Sequence, residues 1–186
     1  PNGAGKTTLF NLITGFDKPD SGKWTFHQLQ NADSWETDLS GLRPHQIAHK
    51  GMVRTFQLTK SLAKMTVLDN MLLGAADQKG EYLRNALIPS RWKSQEKQIL
   101  LKAEALLAKF NLSHMRDEYA ATLSGGQRKL LEMARALMSE PKLILLDEPM
   151  AGVNPVLVES LLAHIENLRD EGVSVLFIEH DMDAIM

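Results

Sequence analysis

The chain has 186 residues, 44% of them apolar and 24% charged, with a formal net charge of −2 and no cysteine. That length carries one domain with a real core and room for a subdomain, while the lack of cysteine excludes disulfides and thiolate metal sites. Nothing in the charge balance invites nucleic acid, and no apolar run reaches the ~18 residues of a membrane span, so work at a membrane is expected to be that of a peripheral subunit.

Pro1-Asn2-Gly3-Ala4-Gly5-Lys6-Thr7-Thr8 matches the phosphate-loop pattern G-x-x-x-x-G-K-[ST] in all but its first glycine. Gly3 and Gly5 permit positive φ, so the N–H groups from Asn2 through Ala4 and beyond can wrap a β-phosphate. Lys6 offers an ammonium to the β- and γ-phosphates. The Thr7 hydroxyl suits one Mg²⁺ position, and Thr8 reaches toward the α-phosphate. A plain glycine turn before a helix is the bland alternative, and Lys and Thr in register argue against it. The chain opens inside this loop and closes at Met186 inside an expected helix. It is therefore read as a fragment lacking the strand before the loop and the C-terminal end.

Leu9-Phe10-Asn11-Leu12-Ile13 continues as a helix ending near Gly15. The turn formers Asp17 to Gly22 follow, and Lys23 to His27 alternates as a strand. Arg43 to Lys50 reads as a short helix with Pro44 in its first turn. His45 and His49 are spaced i,i+4 on it, with no third ligand evident, so they are read as a solvated face. Met52 to Phe56 is a short strand ending at Gln57, an amide that can contact Mg²⁺ or an attacking water.

From Leu58 to about Thr122 the pattern is helical. Thr66 caps Val67 to Leu73, Pro89 and Ser90 break the segment, and Gln95 to Phe110 forms a second helix. Its apolar face carries Ile99, Leu100, Ala103, Leu106 and Leu107. Lys97, Lys102, Glu104 and Lys109 lie opposite, most simply as a solvated face.

Leu123-Ser124-Gly125-Gly126-Gln127 is a glycine-hinged turn opening the helix through Leu137. Ser124 caps it, and the two glycines leave backbone N–H groups bare for an anion. Leu143 to Leu146 is a continuous apolar run ending in Asp147-Glu148, which suits a strand buried on both faces. Asp147 can hold a Mg²⁺ shell, and Glu148 can accept a proton from a water. Asn154-Pro155 opens a helix to Asp170, with Leu157, Leu161, Ile165 and Leu168 as its buried stripe. Val173 to Glu179 reads as another buried strand with His180 at its tip, where it can contact a γ-phosphate or orient Glu148.

In this order the motifs resemble those of the ATP-binding subunits of ATP-binding cassette (ABC) transporters. The phosphate loop, Gln57, the Leu123–Gln127 signature, the Leu143–Glu148 strand, the Ala151–Pro155 loop and His180 carry the resemblance over the whole chain. It implies an α/β fold, a P-loop NTPase (RecA-like) core over 1–57 and 136–186 with an inserted α-helical subdomain over 58–135. It implies ATP and Mg²⁺ as ligands and two subunits facing head to tail. ATP then lies between the phosphate loop of one subunit (Asn2, Gly3, Ala4, Gly5, Lys6, Thr7, Thr8) and Ser124, Gly125, Gly126 and Gln127 of the other. Glu148 and His180 would be catalytic, and Thr7, Gln57 and Asp147 would serve the metal. Arg54-Thr55-Phe56-Gln57, Met65 to Asn70, Asp147 to Pro155 and Ile178 to Met182 are similar to the larger ATPase subunit of branched-chain and neutral amino-acid importers.

That narrower resemblance implies a permease and, indirectly, a solute-binding protein as partners, no nucleic acid, and a place on the cytoplasmic face of the inner membrane. The second ATP-binding subunit can be a copy or a relative. An importer of another solute, such as urea or a lipid-related compound, and a non-transport ABC ATPase are the alternatives. The stretch between Gln57 and Ser124 is too short for the long heptad arms of ABC proteins that maintain chromosomes.

Overall fold

The computed structural model describes residues 3–30, 33–55, 62–81, 85 and 87–179. The chain divides into two compact units. The first comprises Pro1–Gln57, Pro141–Met150 and Ile165–Met186, and the second Leu58–Glu140 and Ala151–His164.

The first unit opens with helix α1 (Lys6–Ile13), followed by a hairpin of β1 (Thr25–Gln30) and β2 (Asp33–Asp38), paired antiparallel from Thr25 with Asp38 to Gln30 with Asp33. Only the first of these strands is expected from alternation. The segment Asp33 to Asp38 is rich in polar residues and joins the ladder because β1 lies opposite it, not because of an apolar pattern. Helix α2 (Pro44–His49) buries Ile47 and leaves His45 and His49 on its exposed face.

A parallel sheet runs β3 (Met52–Arg54), β4 (Leu143–Asp147), β5 (Ser174–Ile178), with β4 central. Ile144, Leu145 and Leu146 are at most 1% exposed, as a strand covered on both faces requires. The expectation of a second fully buried strand at β5 is corrected: it alternates between half-buried and exposed, and Leu176 is 44% exposed. Among the described residues it pairs on one side only, with β4. The core packs Phe10 of α1 and Ile47 of α2 against Leu39, Met52 and Leu145.

The second unit is helical. Helix α3 (Val67–Leu72) is capped by Thr66, whose hydroxyl accepts from the Asp69 N–H at 3.0 Å while the Asp69 carboxylate accepts from the Thr66 N–H at 3.3 Å. Asn70 is fully buried and holds the preceding loop. Its side-chain nitrogen donates to the carbonyls of Thr66 (2.8 Å) and Leu62 (3.2 Å), and its oxygen accepts from the Leu62 N–H at 2.8 Å. Helix α4 (Lys93–Lys109) buries Ala103 and Leu107 on the expected face.

Two of the charges on the solvated face of α4 also find partners there, Glu104 with its side chain 42% exposed. Lys102 reaches Glu140 at 2.6 Å and the Met138 carbonyl at 3.0 Å, and Glu104 pairs with Arg116 at 3.1 Å. Helix α5 (Gly125–Leu137) packs on α3 and α4. Helix α6 (Pro155–Asp170) contributes its residues through His164 to this unit and the remainder to the first.

Candidate functional site: a phosphate loop, an acidic strand end and a capped helix

The phosphate loop enters α1 through two left-handed residues. Gly3 has φ 78° and Gly5 φ 80°, conformations that cost a side chain dearly and glycine nothing. Gly5 is the N-cap of α1, and its carbonyl accepts from the Leu9 N–H at 2.8 Å. The first-turn N–H groups of α1, from Lys6 through Thr8, have no carbonyl inside the helix to bond. They form the positive end of the helix dipole, and Thr7 and Thr8 are exposed there. No acidic residue stands in that first turn to compete for them.

The strand β4 delivers Asp147 to its carboxyl end, where the side chain is 2% exposed. Parallel register pairs Arg54 of β3 with Leu145 of β4. Residues two apart on a strand share a face, so Arg54, Leu145 and Asp147 point toward the same side of the sheet. The Arg54 guanidinium donates to Asp147 Oδ2 at 2.7 Å and to Asn11 Oδ1 of α1 at 2.6 Å, and it stands 5.5 Å from the centre of the Phe10 ring.

Glu148 follows at the point where the chain leaves the sheet. Its φ is 49°, a left-handed conformation rare for a residue with a Cβ. Its N–H donates to the Ile178 carbonyl of β5 at 2.9 Å, and the Met150 N–H donates to the Glu179 carboxylate at 2.8 Å. The turn carrying Glu148 is thus pinned on both sides to the end of β5. Strain of this kind persists only where surrounding bonds over-determine it, and it concentrates at working sites.

In the second unit, Ser124 caps α5. Its hydroxyl accepts from the Gln127 N–H at 3.3 Å, and the Gln127 side-chain oxygen accepts from the Ser124 N–H at 2.9 Å. The side chain of Arg128 donates to the Leu123 carbonyl and anchors the approach to the cap. Gly125 is exposed, and a Cβ there would meet nothing within 4 Å. Gly126 is different: it is buried, and a Cβ there would collide with Leu157 Cδ1 of α6. The second glycine therefore answers to helix packing as well as to any anion.

These features have known counterparts. A family model described as ABC transporter matches residues 1–151. The chain belongs to the ABC transporter family. Over its full 186 residues this cassette is 44% identical to the probable branched-chain amino acid transport ATP-binding protein LivG of Archaeoglobus fulgidus, spanning 68% of that protein. Over its full length it is also 39% identical to the high-affinity branched-chain amino acid transport ATP-binding protein BraF of Pseudomonas aeruginosa, spanning 71% of it. Among solved structures, the ADP conformation of an ATP-binding cassette of an ABC transporter superposes with a TM-score of 0.77 at 41% identity, over all of this chain and 69% of that one. The fold is that of a P-loop ABC ATPase, and the chain is an ATP-hydrolysing cassette of that family.

The cassette's donors also suit Mg²⁺. Among the described residues no group of three or more His, Cys, Asp or Glu could hold a metal by itself. The Thr7 hydroxyl and the Asp147 carboxylate are hard oxygen donors, too few for a closed protein cage but suited to an ion that arrives with phosphate oxygens and water. Asn2, Gln57 and His180 lie outside the described residues. Arg54, Asn11 and Glu179 are functional-site neighbours that pattern reading passes over. Only the strand register brings Arg54 to Asp147, and only the end of β5 brings Glu179 to the Glu148 turn. No helix among the described residues is long and apolar enough to cross a membrane.

Proposed function

We propose that this chain is the ATP-binding and ATP-hydrolysing subunit of an importer for branched-chain or neutral amino acids. One observation carries the solute class: identity of 36–44% across the whole chain to proteins named for branched-chain amino acid transport, from archaea to Escherichia coli. The proposed place is the cytoplasmic face of the inner membrane, bound to permease subunits and served indirectly by a solute-binding protein. Nucleic acid is not a partner.

The division of labour follows from the residues. The loop from Asn2 to Thr8 and the first-turn N–H groups of α1 grip the triphosphate, and Lys6 bridges its β- and γ-phosphates. The capped terminus Ser124, Gly125, Gly126 and Gln127 takes the γ-phosphate of ATP held by a second ATP-binding subunit, where positive dipole meets anion. Binding of ATP then favours a closed pair, and loss of the γ-phosphate releases it. Glu148 accepts the proton of the attacking water, with His180 orienting it or contacting the γ-phosphate. Thr7, Gln57 and Asp147 would hold Mg²⁺, which neutralises charge developing on the phosphate oxygens when bound.

The test is uptake of labelled leucine by the host organism lacking this gene, complemented with the full-length gene or with its Glu148→Gln variant. Restoration by the first and not the second is expected. Normal amino-acid uptake in the deletion strain, with loss of urea uptake instead, would overturn the solute assignment and leave the ATPase assignment standing.

A further inference from the structure

The bridge Asn11–Arg54–Asp147 is charged, and two of its members, Asn11 and Arg54, have no part in the roles above. Its guanidinium side chain is 6% exposed and its carboxylate partner 2% exposed. A guanidinium is a rigid fork, so two bonds from one group fix two partners at a set spacing. One arm reaches Asp147 at the end of β4, and the other reaches Asn11 in α1. Asn11 lies four residues after Thr7, and residues four apart share a helix face. The face of α1 that carries the Thr7 hydroxyl is therefore tied, through one side chain of β3, to the strand that carries Asp147.

We infer that Arg54 is a positioning residue, which holds the two oxygen donors of the nucleotide's Mg²⁺, Thr7 and Asp147, in one register through Asn11. The inference rests on Asp147 serving that metal. Arg54 occupies Oδ2 of Asp147 and so turns the carboxylate, leaving Oδ1 for the metal shell. Asn11 is itself steadied, since its side-chain nitrogen donates to Asp17 at 2.8 Å. Loss of an outer group that orients a metal ligand typically costs ~10–100-fold in metal affinity. A lysine would supply the charge without the fork, and could not hold both partners at this spacing.

The experiment measures ATP affinity by calorimetry on the full-length protein carrying Glu148→Gln, once with Mg²⁺ and once with a chelator. The quantity read is the gain in affinity that Mg²⁺ brings. Arg54→Met is expected to cut that gain at least ~10-fold while the metal-free affinity stays within about twofold. Arg54→Lys and Asn11→Ala keep a cation beside Asp147, and each should lose a smaller part of the gain with a melting temperature close to the parent's. Asp147→Asn is the control that separates the two claims. If Asp147→Asn keeps the full gain, Asp147 does not serve the metal. If it loses the gain while Arg54→Lys and Asn11→Ala both keep it, Arg54 has no positioning role. An equal fall in both arms for the Arg54 variants, with or without a lower melting temperature, would likewise reduce the bridge to a purely architectural ion pair and overturn the inference.

Discussion

The left-handed backbone at Glu148 makes a stability prediction that is opposite to the usual rule. Replacing an alanine by glycine ordinarily costs about 0.5–1 kcal/mol, because the unfolded glycine chain has more freedom to lose. At φ 49° the balance changes. A residue with a Cβ is disfavoured there by about 1–2 kcal/mol, and glycine escapes that cost. Glu148→Gly should therefore be more stable than Glu148→Ala by about 0.75 kcal/mol, the difference between the midpoints of the two terms. Both variants lose the carboxylate and whatever contacts it makes, so the comparison isolates the backbone. Thermal unfolding of the full-length protein without nucleotide should show the glycine variant melting about 1–4 °C higher. Both should hydrolyse ATP at least ~100-fold more slowly than the parent. If alanine proves equal to or more stable than glycine, the turn does not hold Glu148 in the left-handed region, and the reading of stored strain at this residue fails.

Lys6→Ala should weaken ATP binding by an order of magnitude or more, since an ammonium facing two phosphates is lost, and unchanged affinity by calorimetry would contradict the phosphate-loop reading. Asn70→Ala should destabilise the protein by about 1–3 kcal/mol in urea unfolding, because the Leu62 N–H loses its partner. The Leu62 carbonyl keeps its bond from the Met65 N–H. Asn70→Asp should be worse than Ala, since a carboxylate would face the Leu62 and Thr66 carbonyls that now accept from the amide; the reverse order would refute this account of Asn70.

His164 gives a pH dependence. It is buried and stacked on Phe110 with ring centroids 4.4 Å apart, and neither of its ring nitrogens has a hydrogen-bond partner among the described residues. Burial, and then the charge of Lys109, hold its pKa below the ordinary 6.5. The folded state thus binds fewer protons than the unfolded chain, so this contribution is complete above pH 6.5 and is lost as pH falls below it. His164→Phe should flatten the fall in stability between neutral and mildly acidic pH, and an unaltered slope would remove His164 as its source.

Much of this protein is legible in the one-dimensional chain because the relevant physics is local. Positive φ at Gly3 and Gly5, the capping box of Ser124 with Gln127, the Thr66 cap and the apolar run ahead of Asp147 depend on neighbours within a few residues. The same locality makes the phosphate loop and the family's ordered motifs readable without any structure. What reading in order could not supply depends on strands and helices meeting from distant parts of the chain. The β2 strand exists because β1 offers it a ladder, and β5 finds its place by pairing with β4 from Leu143 with Ser174 to Asp147 with Ile178. Gly126 is needed against Leu157, and Lys102 and Glu104 find partners beyond their own helix. Arg54 meets Asp147 only because β3 lies parallel to β4 in a register that pairs it with Leu145. Spacing along a chain sets the chemistry a residue can offer. Which group receives it is decided by packing, since a carboxylate and a guanidinium distant in sequence become neighbours only when the sheet is built.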